Sequence, residues 1–282
     1  MEKAIEIKNL CKNYPSFRLD NVSFSLPKGY IMGLIGANGR GKSTSIGILL
    51  GLVKADSGTC LINGTPMAEK SKKEKEQIGV VLDECNFPET LNYVQINKFM
   101  KHIYSNWESE KFTAMCEKYH LPPKDKVMKY SKGMKMKLSI ATAMCHGAKV
   151  LIMDEPTGGL DPVVRDEILD MLLDFVQDEE NSVLISSHII SDLEKVCDYI
   201  TFIRDGKVVF SDEKDVLTQY YGILHCTNSE FDRIDKSAVI SARGNSFGTD
   251  ALVWRDKVPE GYIVDKANIE DIMLYYIKED RQ

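Results

Sequence analysis

The sequence predicts an α/β fold, a mixed β-sheet with helices, carrying a helical insertion and a small C-terminal α/β appendix. Three observations carry that prediction. The stretch Gly36-Ala-Asn-Gly-Arg-Gly-Lys-Ser-Thr44 fits the phosphate-binding pattern G-x-x-x-x-G-K-[ST] at Gly36, Gly41, Lys42 and Ser43, between a strand-like run and a helical pattern. Apolar runs at 78–82, 149–153 and 183–187 each end in acidic or polar residues, the pattern of strands delivering side chains to a sheet edge. From 86 to about 145 apolar residues recur at helical spacing and strand patterns vanish.

At 282 residues the chain can bury one large core with a smaller domain attached, read here as 1–215 and 216–282. A net charge of −6 disfavours general nucleic-acid binding through a basic surface. The seven cysteines are odd in number, scattered and never in a CxxC pair, which argues for reduced thiols in a cytosolic protein and against a zinc site. No apolar run approaches the roughly 18–20 residues of a membrane-spanning helix, and the N-terminus lacks the apolar core of a signal peptide. Action at a membrane would therefore need another chain to cross it.

Residues 1 to about 35 alternate as strands, with Ile5/Ile7, Val22/Phe24/Leu26 and the run Tyr30–Ile35, punctuated by Asn13, Pro15, Pro27 and Gly29. Tyr14 in the first turn is an aromatic available for stacking on a base. Residues 56–64 read as a short strand closing in Asn-Gly, and the charged run 69–76 as a solvated helix face. Ile78–Leu82 reads as a buried strand with Asp83 at its end. In the insertion, Val94, Ile96, Phe99, Met100 and Ile103, then Phe112, Met115, Cys116 and Tyr119, form stripes expected to be core. Ser131 suits the N-cap of a helix whose inner face carries Leu138, Ala141, Met144 and Cys145. Val150–Met153 returns to the sheet and ends in Asp154-Glu155. Asp161 is placed to cap a helix over 163–177, and His188 follows the strand 183–187 before a helix over 191–197. Strands at 199–204 and 207–210 join through the hairpin signal Asp205-Gly206. In the appendix, 222–226, 238–242, 251–255 and 262–265 read as strands, and Asn268 as the cap of a helix presenting Ile269, Ile272, Met273, Tyr276 and Ile277.

The chemistry follows from residue types at the sheet edge. Glycines at 36, 39 and 41 let the loop curl with its N–H groups inward, and the next helix adds its positive end, a cradle for phosphate. Lys42 brings a point charge to the terminal phosphates, and the Ser43 hydroxyl, with Thr44 beside it, is placed for Mg²⁺. Arg40 is a bulky cation within this loop, and Gly47 weakens the following helix by about 1 kcal/mol. Asp154 is suited to hold Mg²⁺ directly or through water, and Glu155 to act as general base toward an attacking water. A lone histidine is usually structural, but the position of His188 on the same edge points it at phosphate.

This ordered set resembles the nucleotide-binding ATPase subunit of an ABC transporter, over residues 1 to about 215. Gly36 to Thr44 is similar to the Walker A loop, Val150–Glu155 to Walker B with its catalytic glutamate, Gly159-Leu160-Asp161 to the D-loop, His188 to the switch histidine and Tyr14 to the aromatic residue that stacks on adenine. The signature, usually Leu-Ser-Gly-Gly-Gln, stands here as Tyr130-Ser131-Lys132-Gly133-Met134, and the Q-loop position holds Asp83 instead of glutamine. Tyr104-Ser-Asn-Trp107, the signature and the ending Asn268-Ile-Glu-Asp-Ile-Met-Leu-Tyr-Tyr276 resemble bacterial exporters of the ABC-2 type.

The resemblance implies a P-loop NTPase core with an antiparallel N-terminal β-subdomain and a helical subdomain. It also implies ATP contacts from Tyr14, Gly36, Ala37, Asn38, Gly39, Arg40, Gly41, Lys42, Ser43 and Thr44, and a Mg²⁺ set of Ser43, Asp83 and Asp154. Glu155 and His188 would be catalytic, while Ser131, Lys132 and Gly133 would cover ATP bound to a second subunit beside the D-loop residue Asp161. Homodimerisation, or pairing with a related ATPase, and docking on a separate ABC-2-type permease at the inner face of the membrane would follow. The alternatives are a soluble ABC ATPase without a permease and a partly degenerate regulatory subunit, the latter suggested by Arg40, Lys132 and Asp83.

Overall fold

The computed structural model describes residues 2–37 and 39–278, so the expected ATP contact Asn38 lies outside the described residues. The chain forms two compact units, Met1–Ser211 and Asp212–Gln282.

In the first unit, β1 (Lys3–Tyr14) and β2 (Phe17–Pro27) form an antiparallel hairpin, and β1 pairs on its other side with β4 (Ser57–Ile62). Asn13 and Pro27, expected as turn residues, fall inside these strands, because the hairpin turns at Pro15-Ser16 with Tyr14 facing Phe17. Alternation decides the buried side: Ile5, Ile7, Leu10, Leu19, Val22 and Leu26 are all at most 1% exposed and form one core with α1 (Lys42–Leu49). Gly47 within α1 has a packing reason. Its carbonyl accepts from Leu52 and Val53 at 2.8 and 3.1 Å, and a Cβ there would stand 3.2 Å from Val53 Cγ2.

The second sheet of this unit has the order β5-β6-β7-β3-β8-β9, with β3 (Ile31–Ile35), β5 (Ile78–Val81), β6 (Val150–Asp154), β7 (Ser182–Ser187) and β8 (Tyr199–Arg204) paired in parallel and β9 (Lys207–Glu213) at the far edge. Every residue of β3 and β7 is buried, as expected for strands covered on both faces. β5 departs from the expected buried strand: it is an edge strand paired only with β6, and Val80 and Leu82 are 39% and 36% exposed. The β8–β9 turn is as the Asp-Gly signal predicts, both residues having positive φ.

The charged run between β4 and β5 is only partly a solvated face. The short α2 (Lys72–Lys75) has a capping box from Ser71 and Glu74, but Lys70 and Glu76 at its flanks are buried. The Glu76 carboxylate accepts from Ser105 N at 3.0 Å and from its hydroxyl, and the Glu76 carbonyl lies 2.8 Å from His146 Nδ1. The insertion comprises α3 (Tyr93–Ile103), α4 (Ser109–Lys118) and α5 (Lys132–Met144). Its stripes are core only in part: Ile96, Met100, Phe112 and Cys116 are buried, whereas Val94, Phe99 and Ile103 are 40–54% exposed, because α3 covers only one side of itself against α4. After β6 come α6 (Pro162–Phe175) and α7 (Ile190–Val196).

The second unit holds α8 (Lys214–Tyr220), β10 (Tyr221–Cys226), α9 (Asn228–Phe231), β11 (Val239–Gly244), β12 (Thr249–Trp254), β13 (Ile263–Lys266) and α10 (Ile269–Lys278). Its strands make an antiparallel sheet in the order β11-β12-β10-β13 over a core that includes Leu224, Ile234, Ala251 and Val253. Asn268 accepts from Asp271 N at 2.7 Å, the expected cap. The buried face of α10 is Ile269, Ile272, Met273 and Tyr275; Ile277 is 40% exposed, one helical position off the expected stripe.

Candidate nucleotide-binding site

The site grows from the C-terminal ends of β3, β6 and β7, adjacent strands whose register brings Ile35 beside Ser187 and Asp154 beside Ser186. Parallel strands end together, so loops far apart in sequence converge there. After β3 the chain passes so close to β8 that a Cβ on Gly36 would lie 2.4 Å from the Ile203 carbonyl oxygen. Gly41 has φ +113° and a Cβ there would meet Leu19 and Phe17, so the loop can turn into α1 only with glycine at that point. The amide N–H groups at the start of α1 have no carbonyl one turn earlier to bond and face the loop's concavity.

Lys42 is buried at 4% exposure, and its Nζ donates to the Gly36 carbonyl at 2.6 Å. The same ammonium is 3.0 Å from Glu155 Oε1, a buried oxygen with no hydrogen bond aimed at it. Glu155 Oε2 accepts from His188 N at 3.3 Å and lies 2.7 Å from His188 Nδ1, so that imidazole nitrogen carries the proton. Glu155 itself has φ +52°, an unusual backbone for a non-glycine residue, held by its N–H donating to the Ser186 hydroxyl at 3.0 Å. That hydroxyl donates in turn to Asp154 Oδ1. A phosphate lysine, two carboxylates and a histidine thus form one bonded group at the mouth of the glycine loop. A general base, a charge for phosphate and a proton-bearing histidine are within reach of one ligand.

The donor set fits Mg²⁺ with ATP: a hydroxyl at Ser43, exposed at the start of α1, a half-buried carboxylate at Asp154, and a glycine cradle for phosphate. Ala37, Gly39 and Thr44 lie along the same loop and helix start. The Arg40 side chain pairs with Asp205 in the β8–β9 turn, and its carbonyl accepts from Gly206 N at 3.3 Å, which fastens the loop's outer side to the sheet. Tyr14 is 41% exposed with Lys12 Nζ 5.7 Å from its ring centre. Its neighbour across the turn, Phe17, comes within 3.2 Å of a Cβ position on Gly41, so this hairpin end flanks the loop.

The remaining predicted residues lie on the other side of the segment after Glu155. Asp161 accepts from Val163 N and Val164 N, both at 3.1 Å, and caps α6; Ser131 accepts from Met134 N at 3.2 Å and caps α5. Gly133 is packed on α6, where a Cβ would come 2.7 Å from Val164 Cγ1. Lys132 donates to the Gly158 carbonyl at 2.8 Å and lies 3.6 Å from Asp83 Oδ1. Ser186 and Asp205 were not singled out from sequence. For Ser186 the signal was present, two serines closing an apolar strand just before a histidine; for Asp205 the turn signal concealed a charge partner.

Comparisons with known proteins give the family and the fold. Residues 19–158 match the model of the ABC transporter family. The lantibiotic transport ATP-binding protein SrtF of Streptococcus pyogenes is 36% identical over 214 residues, covering 75% of this chain and 91% of the relative. The linearmycin resistance ATP-binding protein LnrL of Bacillus subtilis (strain 168) is 34% identical over 211 residues, 73% of this chain and 68% of the relative. A solved ATP-binding subunit of an ABC transporter superposes with a TM-score of 0.68 at 25% identity, covering 77% of this chain and 92% of that one. The phosphate loop, the Asp154-Glu155 strand end and His188 therefore stand in a chain that belongs to the family of ABC transporter ATP-binding proteins.

Proposed function

We propose that this chain binds and hydrolyses ATP to drive export of a peptide, lipid or drug-like molecule through a separate ABC-2-type permease. The single observation that carries the reading is the bonded group Lys42–Glu155–His188 at the mouth of the glycine loop. ATP enters with its β- and γ-phosphates on the loop amides and Lys42, with Tyr14 against the base. Bound phosphate draws the Lys42 ammonium away from Glu155, which frees that carboxylate to orient a water in line with the γ-phosphate and take its proton. His188 holds the γ-phosphate from the other side. Ser43 and Asp154 would hold Mg²⁺, which would supply charge neutralisation of the phosphates when bound; Asp83, expected as a third donor, stands beside Lys132 instead.

The covering groups come from a second copy or a related ATPase: Ser131, Lys132 and Gly133 at the start of α5 over the γ-phosphate, with Asp161 beside them. Among the described residues no helix is long and apolar enough to cross a membrane; in this reading the permease supplies the span and the chain docks on it at the inner face. The surface best suited to the permease is the 310 Å³ groove at the open edge of β5, walled by Val80, Leu82, Phe87, Met100 and Tyr104. The names of SrtF and LnrL support a toxic or antimicrobial cargo.

Phosphate release and sedimentation of wild type beside Glu155→Gln, with Mg²⁺ and ATP and no permease, test the reading. The expected result is turnover by wild type and an ATP-held dimer of the variant. Undiminished turnover in the variant would overturn the assignment of the base. Absence of both turnover and dimer in a protein that binds ATP would point to a regulatory subunit completed by another chain.

A further inference from the structure

Lys42 and Lys132, on opposite sides of the segment 155–161, are joined by an unbroken series of contacts. Lys42 Nζ meets Glu155 Oε1 at 3.0 Å, the Glu155 carbonyl accepts from Gly158 N at 3.1 Å, the Gly158 carbonyl accepts from Lys132 Nζ at 2.8 Å, and Lys132 Nζ ends 3.6 Å from Asp83 Oδ1. The β5 end, the start of α5 and the loop after Glu155 thus converge on one ammonium. A second pair of the same sense, Lys135 Nζ with Glu89 Oε1 at 3.2 Å, ties the next turn of α5 to the segment after β5. Both members of the Asp83–Lys132 pair are about half exposed, 62% and 53%, so the pair is weak and readily exchanged.

We propose that Asp83 is the positioning residue for Lys132, and that the two form a clasp which holds the start of α5 on its own chain's Gly158 until phosphate takes Lys42. This inference rests on the nucleotide-binding reading above and deepens it. When phosphate draws Lys42 from Glu155, that residue loses one of its three holds, Ser186 and His188 remaining; the turn it closes with Gly158 loosens, the Gly158 carbonyl shifts from Lys132, and the exposed ion pair is too weak to hold the helix start. Ser131 to Gly133 are then free to address a nucleotide on a partner protomer. The clasp places the two positions where the chain differs from the resembled signature and Q-loop patterns in one functional pair.

The test is hydrogen exchange of the amides of 131–136 and 156–161 in the full chain, for wild type, Asp83→Asn, Asp83→Glu and Lys132→Met, each with and without MgADP. Without nucleotide, Asp83→Asn and Lys132→Met should each speed exchange of 131–136 about three- to five-fold, and the conservative Asp83→Glu should stay within about two-fold of wild type. MgADP should speed the same segment in wild type and add little in Asp83→Asn and Lys132→Met. Unchanged exchange in both of those variants, or an Asp83→Glu no better than Asp83→Asn, overturns the clasp; a wild-type segment that MgADP leaves unmoved overturns the release. A fluorescent-nucleotide titration run beside it reports separately on the phosphate loop: lost binding there sinks the nucleotide reading, while the nucleotide-free exchange still decides the clasp.

Discussion

At the end of β6, Glu155 is held by its backbone N–H on the buried Ser186 of β7, by the exposed His188 just after that strand on one carboxylate oxygen, and by the buried Lys42 at the start of α1 on the other. At the start of α5, Ser131 to Gly133 are held by one helix cap, one lysine on a carbonyl and an exposed ion pair, while the neighbouring α3 leaves Val94, Phe99 and Ile103 in solvent. The first region is fixed by several contacts that converge on one residue, two of them from buried partners; the second is fixed by few, each cheap to exchange. Chemistry needs fixed atoms and control needs a part that can shift, and the chain divides its residues between the two accordingly.

Substitutions in the fixed region should act on turnover. Glu155→Gln should slow phosphate release by about 10³-fold or more while ATP stays bound, since it removes the base and leaves the cradle. If it slows turnover less than a change in the insertion does, the contrast is wrong. Next, Lys42→Ala should weaken ATP binding by roughly 10- to 100-fold in a nucleotide titration, the worth of a charge-assisted contact of about 1.5–3 kcal/mol. Ser186→Ala should cost about 10-fold in turnover with ATP affinity nearly unchanged, because the serine hydroxyl bonds Asp154 and the Glu155 amide.

The insertion should show itself in stability and pH instead. Burial holds the His146 imidazole below its usual range, and the ring stacks on Tyr104 at 4.2 Å. A folded value below the unfolded one means that the unfolded chain binds more protons as the pH falls. Stability should therefore be full above about 6.5 and decline as the pH falls through the depressed folded value. Urea unfolding between pH 7 and pH 5 should show this loss, and His146→Phe should flatten it. A final, smaller test is chemical: burial pushes the Cys116 and Cys145 thiols up to about 12, so alkylation at pH 8 should spare both until the insertion opens.

Much of this was legible before any coordinates. The glycine loop, the strand ending in Asp154-Glu155 and the caps at Ser131, Asp161 and Asn268 are local patterns, in which neighbours in sequence decide the conformation. The errors have one cause. Val80 and Leu82 read as buried because an apolar run does not say whether its strand has one neighbour or two. Glu76 read as solvated because a charge run does not show the Ser105 and His146 that meet it from later in the chain. Val94 and Phe99 read as core because helical spacing marks an apolar face and not its covering.

By itself the sequence determined which residues could do chemistry and the local backbone that carries them, since glycine φ, cap hydrogen bonds and apolar periodicity act over a few residues. Only the tertiary structure decided who meets whom: Lys42 with Glu155, Arg40 with Asp205, Asp83 with Lys132. Those partners are 113, 165 and 49 residues apart, and such meetings are set by strand order and by which faces bury, long-range terms that no local pattern contains.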